Sequence, residues 1–92
     1  MAISDETRLR PANKLPGRQL AGETVVVDPR RRKVFLMNPV GGEVWSQVER
    51  SATVAEMVAA VVRRFEVDSE RARADVDLFV NQLLEAGLAE TA

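Results

Sequence analysis

The chain has 92 residues and contains no cysteine, no histidine and no tyrosine. Without cysteine there is no disulfide framework, no thiolate nucleophile and no C-x-x-C redox pair. Without histidine as well, a Ser-His-Asp triad and a zinc site of the thiolate and imidazole kind are excluded. Any catalysis would rest on carboxylates, hydroxyls and the two lysines, Lys14 and Lys33. An excess of charge of one sign is missing too: 13 basic residues face 14 acidic ones, a formal net charge of −1, which gives no global attraction to nucleic acid or to an anionic membrane. No apolar run approaches the roughly 18 residues of a membrane span, and Met1 to Arg10 has no apolar core of the kind a signal peptide needs. A cytoplasmic protein without metal or cofactor is the expectation.

A chain this short forms one domain and buries only about 60–65% of the surface its unfolded form exposes. Nearly all of its apolar residues, 46% by composition, are therefore needed for the core, and little is left for a deep substrate cavity. Charge is unevenly spread: the stretch up to Val48 carries +3 and the stretch from Glu49 carries −4.

The opening segment is polar and holds Pro11 and Pro16, which predicts a mobile N-terminal arm over residues 1–14 ahead of a domain over 15–90. A first strand, Arg18 to Ala21, follows the Pro16-Gly17 turn. The β-branched run Thr24 to Val27 is a second strand, closed by the turn signal Asp28-Pro29. The turn continues through Arg30, Arg31 and Arg32 into a third strand, Lys33-Val34-Phe35-Leu36-Met37. The period then changes from 2 to about 3.6. Asn38 caps a first helix with Pro39 at its first position, and Val40, Val44, Trp45 and Val48 form one stripe. Thr53 and Glu56 make a capping box for a second helix. Asp68 caps a third, with Ala72, Val76, Phe79 and Leu83 as its inward stripe and Gly87 at the position beyond its end. The expected class is α+β: a three-stranded antiparallel sheet followed by three helices.

Candidate chemistry is sparse. Asp75 and Asp77 point to different sides of a helix and do not converge as an acid/base pair. Trp45, the only tryptophan, is expected in the core. The run Arg30 to Lys33 at a hairpin tip suits either a solvated turn or a basic contact, as in the wing of a DNA-binding winged helix. That mode also needs a basic recognition helix, whereas the third helix from Asp68 carries five acidic residues against Arg71 and Arg73. An acidic peptide is thus the better partner for the tip. The third strand carries the most information: Val34 to Met37 is apolar on both faces, without the Pro or charge that usually blunts an outer strand. Its open edge either receives an extended peptide as a further strand or is covered by the N-terminal arm or a second copy of the chain.

Several strings, in this order, resemble the PqqD-like family of precursor-peptide recognition elements. They are Leu15-Pro16-Gly17, Val25-Val26-Val27-Asp28-Pro29, Val34 to Pro39 running through Gly41 to Trp45, Thr53-Val54-Ala55-Glu56, and Ala74-Asp75-Val76 with Phe79, Leu83 and Ala86-Gly87-Leu88. The resemblance covers Leu15 to Leu88. It implies a winged-helix-like fold and a non-catalytic module that captures the leader segment of a ribosomal precursor peptide and presents it to a separate modifying enzyme, such as a radical-SAM protein or a leader protease, in natural-product or PQQ biosynthesis. It places the leader antiparallel to the third strand, in a groove shared with the third helix. The implied strand contacts are Lys33, Val34, Phe35, Leu36 and Met37. Helix contacts come from one border of the inward stripe, either Asp75, Leu78 and Gln82 or Arg73, Val80 and Leu84, and spacing leaves the choice open. Leu78, off the stripe, is the expected contact in preference to Phe79. A DNA-binding winged helix and a dimer paired through its third strands are the alternatives.

Overall fold

A computed structural model describes residues 3–12, the backbone of 17–20, and residues 23–92. The described elements are strands β1 (Leu9–Pro11), β2 (Gly17–Leu20), β3 (Glu23–Asp28) and β4 (Lys33–Met37), helices α1 (Pro39–Glu49), α2 (Val54–Phe65) and α3 (Ser69–Glu85), and strand β5 (Ala89–Thr91). The antiparallel sheet runs β2-β3-β4, so β4 is at its edge, and a second, two-stranded sheet pairs β1 with β5. The expected Pro16-Gly17 turn, Ala21, and residues 1–2 and 13–14 of the expected arm fall wholly or partly outside the described residues.

Local signals account for the helix boundaries. Asn38 Oδ1 accepts the Gly41 N–H at 2.8 Å and Pro39 opens α1. Thr53 and Glu56 exchange both bonds of the capping box, at 3.1 and 2.9 Å, which satisfies two N–H groups that a helix start leaves unpaired. Asp68 accepts from the Arg71 N–H at 2.7 Å. At the other end of α3, Gly87 takes φ +72° and the Leu88 N–H donates to the Leu83 carbonyl at 3.0 Å, so Leu88 folds back and is buried.

The N-terminal segment corrects the sequence reading. Leu9, expected in an arm outside the domain, is fully buried in the core. Its N–H donates to the Ala52 carbonyl at 3.2 Å, and β1 pairs Leu9 with Thr91, Arg10 with Glu90 and Pro11 with Ala89. Asp5 forms an ion pair with Arg73 on α3, and that guanidinium holds the Asp5 carboxyl below its usual range. The order is thus not three strands and three helices alone. β1 and β5 span three residues each, too short for alternation to show, and each pairs only with the opposite end of the chain.

The core fills the space between the helices and the inner face of the sheet, around Trp45, Met57, Val26, Val44, Val48, Val61 and Val76. The approach of α1 to β3 is close enough that a Cβ on Gly42 would collide with the Thr24 hydroxyl. The buried line of α3 is Ala72, Val76, Val80 and Leu83, so Val80, expected at a border, is core, while Phe79, expected inward, is only partly buried. One residue turns a helix by about 100°, and α3 packs its 72-76-80 line on its neighbours while leaving its next flank toward the open edge of the sheet.

Leu9→Ala is expected to lower the unfolding free energy by about 2–5 kcal/mol, the usual range for emptying a buried leucine site. Denaturant unfolding followed by circular dichroism checks this; a change under about 0.5 kcal/mol, normal for a surface position, would return Leu9 to an arm.

Candidate functional site

Pairing fixes which way each β4 side chain points. Met37 lies opposite Thr24 and Phe35 opposite Val26, both buried, whereas Leu36 lies opposite Val25 and Val34 opposite Val27. Directly paired residues share a sheet face. Phe35 and Met37 therefore face the helices. Val34 and Leu36 face outward, 62% and 70% exposed, with Val27 beside them. The alternation that the apolar run concealed is thus an inner apolar row and an outer apolar row.

The other edge of β4 has no strand partner among the described residues. Beside it lies a groove of about 260 Å³, lined by Phe35, Leu36 and Met37 from β4, by Phe79, Gln82, Leu83 and Ala86 from α3 and its end, and by Leu88. Gln82 is the one polar side chain in that lining. Two contacts fix α3 at the two ends of the groove. At one end the Arg31 guanidinium donates to the Ala86 carbonyl, where the α3 dipole favours a cation. Arg31 also pairs at 3.6 Å with Asp28, whose buried carboxylate accepts the N–H groups of Arg30 and Arg31 at 3.1 and 3.3 Å. One member of the basic run is thus a clamp between the hairpin tip and α3. At the other end Phe79 lies against Gly41, where an added Cβ would stand 2.6 Å from Cε1 of the ring. Only glycine leaves room for the ring to recede and form the groove floor.

The expected contact residues separate accordingly. Phe35, Leu36, Met37 and Gln82 come together in the groove. Lys33 is exposed at its tip end. On α3, the border that reaches the groove is the one holding Gln82. Of its other members, Leu78 is 56% exposed and Asp75 pairs with Arg71 at 3.6 Å; both precede Gln82 on the same flank. The alternative border does not reach it: Val80 is buried, Leu84 packs on the core, and Arg73 is engaged by Asp5. Phe79, passed over in favour of Leu78, lines the groove, as do Leu83, Ala86 and Leu88. The spacing 75, 79, 82, 86 was the available signal for Phe79, but it is one step from the 72-76-80-83 line, and burial alone separates the two.

Among the described residues there is no group of three or more acidic, cysteine or histidine side chains able to hold a metal ion, and no helix is long and apolar enough to cross a membrane. The site offers main-chain hydrogen bonds along one edge and a shallow apolar trough, a combination suited to binding an extended segment.

Two solved structures share this architecture. One is described as TbiB1 in complex with the TbiA(beta) leader peptide, with a TM-score of 0.78 and 22% identity over 88% of this chain and 94% of that one. The other is lasso peptide synthetase B1 complexed with the leader peptide, with a TM-score of 0.73 and 24% identity over 92% of this chain and 98% of that one. No curated protein sequence matches significantly. The sequence profile of coenzyme PQQ synthesis protein D matches residues 23–89, a span from β3 to the start of β5 that contains both walls of the groove. The chain belongs to the coenzyme PQQ synthesis protein D (PqqD) family.

Proposed function

We propose that this protein is a non-catalytic binding module that captures the leader segment of a ribosomal precursor peptide along the open edge of β4 and presents the remainder to a separate modifying enzyme. The observation that carries the reading is the β4 edge, without a strand partner among the described residues, bordering an apolar groove. An added strand gains main-chain hydrogen bonds from that edge. Its alternate side chains enter the groove beside Phe35 and Met37, and the intervening ones extend the outer row of Val34 and Leu36. The likeness to two leader-peptide complexes supports the same reading.

Tethering supplies rate without chemistry: a captured precursor meets the enzyme at an effective concentration set by its linker. A radical-SAM protein or a leader protease is a suitable enzyme partner, in the cytoplasm. Pairing of two β4 edges in a homodimer would compete with the peptide for the same backbone groups. The acidic balance of α3 disfavours insertion into a DNA groove.

Titration with synthetic leader peptides encoded beside this protein's gene, followed by amide NMR, is expected to shift Lys33 to Met37, Phe79, Gln82 and Ala86. A response confined to Pro29 to Arg32 would reject groove binding.

Gly41→Ala provides a second check. The new methyl group pushes the Phe79 ring into the groove, so leader affinity is expected to fall about tenfold, about 1.4 kcal/mol, with helix content retained. Isothermal titration calorimetry measures it, and unchanged affinity would remove Phe79 from the binding floor.

A further inference from the structure

The groove has a direction. β4 begins at the hairpin tip, where Arg31 holds the end of α3, and runs toward Gly41, which faces Phe79. Strand and helix therefore pass in opposite senses, with Ala86 at the tip end and Phe79 at the far end. The two ends differ in charge. At the tip, Arg30, Arg32 and Lys33 are exposed, and among the described residues none has an acidic partner within 4 Å, whereas Arg31 between them does. One turn before Phe79, on the same flank of α3, stands Asp75, whose charge is compensated by Arg71 at 3.6 Å, so that end lacks the uncompensated positive charge of the tip.

The tip also keeps its charge against local preference. Arg32 takes φ +54°, a left-handed turn position that Gly or Asn adopts with less strain.

We propose that the groove reads charge polarity as well as apolar side chains: its peptide carries one or more Asp or Glu residues just beyond the apolar segment, on the side that lies at Lys33. The inference rests on the groove reading above. The existing sheet is antiparallel throughout, and an antiparallel guest pairs slightly more stably than a parallel one. The carboxylates therefore fall C-terminal to the apolar residues. The same residues placed at the other end would face the Asp75–Arg71 pair instead of the uncompensated basic tip. The carboxylates fix register, since a guest strand slipped by two residues keeps its faces but loses the charge match. A nucleic-acid strand would share the attraction to the tip, but its phosphates would also run along the flank of Asp75.

The test is selection of random 12-residue displayed peptides on the intact protein, followed by fluorescence anisotropy. Enriched peptides are expected to place Asp or Glu C-terminal to an apolar pair. Moving those acids to the N-terminal side, or replacing them by Gln and Asn, is expected to weaken binding by about three- to tenfold, as for two or three exposed charge pairs. A folded variant with Arg30, Arg32 and Lys33 all replaced by Gln should bind the original peptide no more tightly than its Gln and Asn counterpart. Enriched peptides that bind in the groove without this charge order, or that lose nothing on the triple variant, would overturn the inference and leave leader capture standing. No enrichment at all would overturn both. A 12-nucleotide single strand that shifts the tip amides as strongly as the acidic peptide would overturn it in favour of phosphate binding.

Discussion

The distance between β4 and α3 is the constraint from which the site follows. A helix packed fully against the sheet would close the groove, and a helix free to swing away would leave no groove wall. Here the separation is held at two points. The Arg31 guanidinium joins the hairpin to the last carbonyls of α3, and Gly41 lets the Phe79 ring recede against α1. Between these points the inner residues of β4 face a trough instead of a packed interface. The edge remains open because nothing described reaches it: the described strand of the N-terminal segment, β1, pairs with β5 in a separate sheet instead.

That disposition divides stability from binding except at Met37, Leu83 and Leu88, which belong to both the core and the groove lining. The core is completed by Leu9, Trp45 and the 72-76-80-83 line of α3, of which Leu83 alone also lines the groove. The exposed apolar residues Val34, Leu36 and Leu78 contribute little to the fold and are available for contact. A small domain rarely leaves large apolar side chains clustered in water without a use for them. The family assignment fits this division of labour, since the residues matched by the PqqD profile include both walls.

Helix starts were readable in advance because capping is local: Asn38, Thr53 with Glu56, and Asp68 each act within three residues of themselves. Gly87 was readable for the same reason. The third strand was legible as an outer strand because the second strand flanks it on one side and the chain turns into a helix at its end; Phe35, Leu36 and Met37 from it line the groove. The helix side was harder. Phe79 and Val80 are adjacent and both apolar, so periodicity gave no way to decide which is core and which faces the groove. Arg31 looked like its neighbours in a run of four basic residues, and only its contacts with Ala86 and Asp28 distinguish it.

By itself the sequence determined everything that rests on interactions a few residues apart: the class of elements, their order through the helices, the caps, the exclusion of cysteine and histidine chemistry, and the apolar outer strand. Tertiary structure alone decided what depends on residues distant along the chain. Leu9 enters the core because β1 meets β5, the groove has a floor because Gly41 meets Phe79, and one border of α3 lines it because Val80 turns to α3's packed side. Such contacts join segments whose separate patterns carry no trace of the partner, since burial is a property of the pair and not of either strand or helix alone.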